Sequence, residues 1–188
     1  MILKYFYPEE DYSWKELDEL SAKVEGLWTW PTAALIWLKR KGLQMKVITP
    51  FDYDSFIAEG GSFLIRKYGE EVGKAQIAHS NIDQEQELAK SLLLEVPIEK
   101  RIPDIAEICE LLQEGYLVAC NVNAFCLDQK EGYAGHFVVI KGFERNELIL
   151  HDPGQPARPD RHVNIKVFES AWAYPNEEAK DIYAFKRE

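Results

Sequence analysis

His136 and Asp152 are the two residues of this chain whose types and spacing most directly suggest chemistry. They bracket the stretch GHFVVIKGFERNELILHDPG, residues 135–154. An apolar run follows His136, a polar turn centres on Glu144-Arg145-Asn146, and a second apolar run ends at Asp152, just before Pro153. Folded as a hairpin about that turn, the two runs bring imidazole and carboxylate together at the open end. There, opposed side chains have Cβ atoms roughly 5 Å apart and diagonal neighbours roughly 7 Å. A carboxylate bonded to an imidazole fixes its tautomer and stabilises the imidazolium that forms when the ring takes a proton. Such a pair either serves a third, reacting group or simply neutralises charge at a strand end. Gly135, Pro153 and Gly154 are backbone devices that shape the hairpin ends. His151 should point away from Asp152, because strand side chains alternate, and His162 reads as a solvated loop residue.

The third group is sought among the nucleophiles. Cys109, Cys120 and Cys126 show no CxxC spacing, and none stands at a helix N-terminus. Cys109 and Cys120 read as small buried hydrophobes, and Cys126 lies nearest a loop. Asn121 and Asn123 should share one face of their strand, where Asn123 either touches a ligand or satisfies a nearby loop backbone. His136 and Asp152 with His151 or His162 lack the HExxH or CxxC spacing of a zinc site, so no metal and no cofactor is expected.

The elements that must position these groups follow from caps and periodicity. Residues 2–7, ILKYFY, read as a short strand. SWKE is a capping box that starts a helix at Ser13, running to about Lys23. In TWPTAALIWLKRKG, Thr29 can cap a helix whose first turn accommodates Pro31. Its stripe is Ala33, Ala34, Trp37 and Leu38, and Gly42 ends it. Gln44–Thr49 is a strand. Residues 53–95 are helical and charged, broken at Gly60–Gly61, Gly69 and Asn81, and Pro103 starts a further helix ending at Gly115. YLVACNVN, HFVVIKGF and ELILHD are strand-like, and the helix IKVFESAWA and the strand DIYAF close the chain. Helices first and an antiparallel sheet second is an α+β pattern.

The totals bound the reading. The chain has 188 residues, 46% hydrophobic and 12% aromatic, enough for one domain with a core. The net charge of −10 argues against nucleic acid or an anionic membrane surface as partner. No apolar stretch is long enough to span a membrane, and no signal peptide is apparent, so a cytoplasmic location with reduced cysteines is expected.

The His–Asp stretch resembles the corresponding half of papain-like cysteine peptidases of the bacteriocin-processing, double-glycine-leader type, the thirty-ninth family of cysteine peptidases. In that family the catalytic His opens a strand, as His136 does, a Gly marks the following turn, as Gly142 does, and the catalytic Asp sits in an Asp-Pro step, as in Asp152-Pro153. The lead-in LLQEGYLVACNVN is similar too. The family's nucleophile is a Cys at a helix N-terminus, in Cys-Gly-Pro followed by small residues. Here the similar segment is Thr29-Trp30-Pro31-Thr32-Ala33-Ala34-Leu35, with Thr in the Cys position and Trp in the Gly position. The family's Gln, six residues earlier, is replaced by Lys23, with Glu25 and Gly26 nearby. The resemblance covers about residues 24–42 and 103–185, within a single domain over 1–188, and residues 50–100 read as a helical insertion.

The resemblance implies a papain-like α+β fold without the catalytic Cys. A Thr hydroxyl gains far less than a thiol from a helix dipole, and as an N-cap Thr29 contributes about 1 kcal/mol regardless of chemistry. The first reading is a non-peptidase homologue that binds a peptide or small amide ligand beside His136 and Asp152, with Trp28, Trp30, Asn123 and Glu25 as contacts. A second is an active hydrolase or acyltransferase, with His136 as general base, Asp152 as its orienter, and Thr29 or water attacking. A third is an interaction module that docks a partner chain.

Overall fold

Ser13-Trp14-Lys15-Glu16 makes the reciprocal cap its spacing predicts. The Ser13 hydroxyl accepts the Glu16 amide at 3.2 Å, and the Glu16 carboxylate accepts the Ser13 amide at 2.7 Å. The computed structural model describes residues 1–154 and 156–187. Its helices are α1 (Ile2–Phe6), α2 (Trp14–Leu20), α3 (Thr32–Arg40), α4 (Tyr53–Glu59), α5 (Gly61–His79), α6 (Ile82–Glu95), α7 (Ile105–Gln113), α8 (Ala124–Leu127) and α9 (Ile165–Trp172). Its strands are β1 (Gln44–Ile48), β2 (Ile98–Glu99), β3 (Leu117–Asn123), β4 (Gly135–Glu144), β5 (Glu147–Asp152), β6 (Arg158–Asn164) and β7 (Ile182–Lys186). The architecture is α+β, as expected. The chain forms two compact units, one built on Met45–Phe51 and Ile98–Lys186, the other on Leu3–Gln44 and Asp52–Pro97.

The first unit is the sheet, in the order β2-β1-β7-β3-β4-β5-β6. It is mixed rather than wholly antiparallel, because β1 and β2 pair in parallel. Alternation along β3 and β4 sends Val118, Cys120 and Val122, with Val138 and Ile140, to one face. They pack with Ile108 and Leu111 of α7 and with Phe168, Ala171 and Trp172 of α9. The buried Trp172 indole is satisfied by donating to the Asp181 carbonyl at 2.9 Å. Helix α7 begins one residue after Asp104, which forms a second capping box with Glu107, and not at Pro103 as expected.

The second unit is helical. Its core includes Leu35, Ile36 and Leu38 of α3, Phe56 of α4, Phe63 and Leu64 of α5, and Ala89 and Leu92 of α6. The buried face of α3 is thus Thr32, Leu35, Ile36 and Leu38, one step round from the predicted stripe. Helix α5 is kinked at Gly69, whose φ of 80° no helix sustains. Beyond the kink Gly73 lies against the Ile65 backbone, where a Cβ would come within 2.6 Å of Ile65 Cα.

Three local expectations are corrected. Residues 2–6 are helical, although aromatic and β-branched residues suit a strand. No strand partner is present for them among the described residues, and the segment buries Phe6 and Tyr7 instead. Helix α2 stops at Leu20, three residues short of Lys23, and Ala22 follows in the left-handed region at φ 51°. His162 belongs to β6, opposite Ile149, and not to a loop. Its Nδ1 lies 3.2 Å from Glu147. Among the described residues, no helix is long and apolar enough to cross a membrane.

Candidate functional site

The site is assembled by two β-bulges flanking β5. On the turn side of the hairpin Glu144 faces Glu147, Phe143 faces Leu148 and Gly142 faces Ile149. Beyond Lys141 the register shifts, so that Ile140 faces Leu150 and Val139 faces His151. Continued without that shift, the turn-side register would put Asp152 opposite Val139, on the face away from His136. A one-residue slip exchanges the two faces of a strand. The extra residue, Lys141, therefore moves Asp152 onto the face of His136, Val138 and Ile140. Only the bulged register puts His136 and Asp152 on one face. On the other edge of β5, Leu150 faces Arg161 and Asp152 faces Arg158, so β6 takes three steps while β5 takes two. Arg161, opposite Leu150, already shares the face of Asp152, and this second bulge brings Arg158 to that face as well.

His136 Nε2 and Asp152 Oδ1 are 2.8 Å apart. Asp152 is 1% exposed, and both carboxylate oxygens are engaged. Oδ1 also accepts the Gly154 amide at 3.0 Å, while Oδ2 receives Arg161 Nη1 at 2.8 Å and Arg158 Nη2 at 2.7 Å. The arginines continue to Asp128, whose Oδ1 lies 2.7 Å from Arg161 Nη2 and 3.0 Å from Arg158 Nη1. Arg161 Nη2 also donates to the Leu127 carbonyl at 2.7 Å. Burial by itself would raise the Asp152 carboxyl, but hydrogen bonds from His136, the Gly154 amide and Arg161 outweigh it and hold it down to about 2. The same balance, burial against Arg158 and Arg161, leaves Asp128 below the usual carboxylate range. The imidazole is thus held at Nε2 by an ionised carboxylate, and among the described residues Nδ1 makes no hydrogen bond.

The backbone of His136 is fixed by Asn123. Its Oδ1 accepts the amides of Phe125 and Ala134, both at 3.1 Å, and its Nδ2 donates to the Gly132 carbonyl at 2.8 Å. Asn123 is 2% exposed, so its amide serves the loop backbone. Of its two expected roles, the one seen here is as partner of the loop backbone. It closes the 124–134 segment two residues before His136.

The remaining predicted residues lie in the helical unit. Thr29 is exposed and precedes α3 by three residues. The N-cap of α3 is Pro31, and no side chain caps the helix. The expected cap is therefore absent, because the helix begins at Thr32. Trp28 stacks on His79 with centroids 4.9 Å apart, and its amide donates to the His79 carbonyl. Trp30 stacks on Phe56 at 5.3 Å, and its indole donates to Ser80 Oγ at 2.8 Å. Both indoles are half-buried in their own unit. Glu25 is exposed beside Gly26, in a turn. Thr32 is buried and bonds the Glu85 side chain, whose carboxyl is raised by burial.

The three cysteines are free. Burial pushes up the thiols of Cys109 and Cys126, and burial and then Asp181 push up that of the fully buried Cys120. Among the described residues no group of three or more His, Cys, Asp and Glu could hold a metal ion.

Sequence reasoning missed Asp128, Arg158 and Arg161. The signal available for the arginines was Arg-Pro-Asp-Arg shortly after the Asp-Pro-Gly step, since a buried carboxylate calls for a counter-charge.

No curated protein matches this chain. A model of the peptidase C39 family matches residues 62–175, a stretch that contains His136, Asp152, Asp128 and both arginines. The likeness of Thr29 to the family's nucleophile position lies upstream of that stretch and rests on the Thr29–Leu35 resemblance alone. The match covers more than half of the 188 residues, and with the α+β fold and the hydrogen-bonded His136–Asp152 pair it leads to one conclusion: this chain belongs to the peptidase C39 family.

Proposed function

We propose that this peptidase-like protein retains the His136–Asp152 pair without a thiolate partner and binds a peptide or small amide ligand at His136. The observation that carries this reading is the 2.8 Å Nε2–Oδ1 bond in a chain whose three thiols are all pushed up by burial. An attacking cysteine needs the opposite, a thiol lowered by a positive neighbour or a helix N-terminus. With the Nε2 proton given to Asp152, Nδ1 presents a lone pair. That lone pair accepts an N–H, which suits a ligand rich in amide donors. The same lone pair also suits water, and this supports the rival reading of a hydrolase or acyltransferase with His136 as base.

Short peptides and simple amides titrated into the protein, followed by amide chemical shifts, test the reading. Binding should perturb β4 near His136, and His136→Ala should weaken it about tenfold, the loss of one hydrogen bond of about 1.4 kcal/mol. Affinity unchanged in both His136→Ala and Asp152→Asn would remove the pair from the binding site.

A further inference from the structure

We infer that Arg161 is a positioning residue, and that its two-pronged bridge sets the tautomer and aim of His136. The inference rests on reading His136–Asp152 as the working pair, and it concerns groups of the sheet unit alone.

A buried carboxylate bonded only to one imidazole and one amide would still have free lone pairs on Oδ2, and it could turn about its own axis. Arg161 Nη1 takes one of those lone pairs at 2.8 Å. Its second prong does something Arg158 does not: Nη2 bonds both the Leu127 carbonyl and Asp128 Oδ1, each at 2.7 Å. Arg161 is also the better anchored of the two, with a side chain 14% exposed against 45% for Arg158. A planar guanidinium with both prongs engaged has one orientation, and it transmits that orientation to the carboxylate.

The anchor is the same short segment that fixes the His136 backbone. Leu127 and Asp128 lie within the 124–134 segment that Asn123 ties at both ends, through Phe125 and through Gly132 and Ala134. A closed circuit results: His136 side chain to Asp152, Asp152 to Arg161, Arg161 to α8, α8 through Asn123 to Ala134, and Ala134 along the chain to His136. Both the ring and the backbone of His136 are referred to α8. Charge supports the same role. Arg158 and Arg161, with Lys130 3.9 Å from Asp128, outweigh the two carboxylates, so the charge of Asp152 is compensated on the side away from the imidazole. Asp152 therefore acts on His136 chiefly as a fixed acceptor at Nε2, which keeps the Nδ1 lone pair exposed to a ligand.

Long-range proton–nitrogen spectra of the His136 ring, recorded at alkaline pH, test this directly. The wild type should show one tautomer, with a protonated Nε2 and a bare Nδ1. Arg161→Ala and Arg161→Lys should both give a mixed pattern, since Lys cannot make both prongs at once, while β4 and β5 amide signals stay in place. Arg158→Ala should keep the single tautomer. A single tautomer in Arg161→Lys, the variant that keeps the charge and so the fold, overturns the proposal. So does a mixed pattern in Arg158→Ala equal to that of Arg161→Lys. Asp152→Asn separates the two levels: it should lose the pattern, and if it does not, the His136–Asp152 reading itself fails.

Discussion

Replacing Asp152 by Asn keeps the shape of the side chain and removes its charge, and the structure sets the size of the effect. The folded carboxyl is held at about 2, against about 3.9 in an unfolded chain. A folded value below the unfolded one means that ionisation favours the fold. That contribution is complete above about pH 5 and disappears as the pH falls through 4 towards 2. The difference corresponds to roughly 1–3 kcal/mol at neutral pH, the lower figure allowing for solvent screening at the half-exposed Arg158. In Asp152→Asn two guanidiniums share only Asp128, and an amide N–H faces a donor. The unfolding free energy of the sheet, from urea-dependent hydrogen exchange of β4 and β5 amides, should therefore fall by that amount at pH 7. The gap between wild type and variant should shrink as the pH is taken down towards 3. A variant as stable as wild type at pH 7, or a gap that stays constant with pH, would refute the reasoning.

Other consequences follow from the same structure. Asp181 is fully buried, and burial, opposed by hydrogen bonds from the Asn121 amide, Tyr183 and Trp172, pushes its carboxyl up to about 7. A raised acid stabilises the fold only while protonated, so this contribution is lost as the pH rises from about 4 through 7. Asp181→Asn should thus gain on wild type by on the order of 2 kcal/mol between pH 5 and pH 8, measured by denaturant unfolding at each pH, and no such widening would contradict the burial argument. Asn123→Ala should cost about 1–3 kcal/mol through the loop groups it leaves unpaired, and should speed hydrogen exchange at the Phe125 and Ala134 amides above all others. Gly73→Ala should destabilise the helical unit by about 1–3 kcal/mol, because its methyl meets the Ile65 backbone, and a neutral thermal shift would contradict that close approach. Ser13→Ala should cost about 1 kcal/mol, read in the same thermal assay, through loss of the capping box.

Much of the fold was legible because its signals are local. The capping box at Ser13 and the Asn81 cap act within one turn, and the alternation in β5 places Leu148, Leu150 and Asp152 inward. What escaped depends on partners distant in sequence. ILKYFY has strand-like residues, yet Ile2–Phe6 folds as a helix. RPDRHVN carries Pro159 and almost no apolar alternation, yet it pairs along β5. In the candidate site, His136 and Asp152 were readable as a pair, but their meeting on one face depends on the extra residue at Lys141, and periodicity gives no sign of that. Arg158 joins Arg161 on the face of Asp152 through a second bulge of the same kind. Thr29 showed the opposite failure: a good capping residue stood before a Pro, and the helix began at Thr32 instead.

The central claim is that the His136–Asp152 pair serves binding without a covalent nucleophile. It is tested most directly by incubating wild type and His136→Ala with a mixed peptide library and measuring, in the same samples, bound peptide and cleaved product by mass spectrometry. The account predicts peptides retained by the wild type, retention reduced in His136→Ala, and no cleavage above a protein-free control in either. Cleavage products formed by the wild type and lost in His136→Ala would contradict it, and would make the pair the base of a working hydrolase.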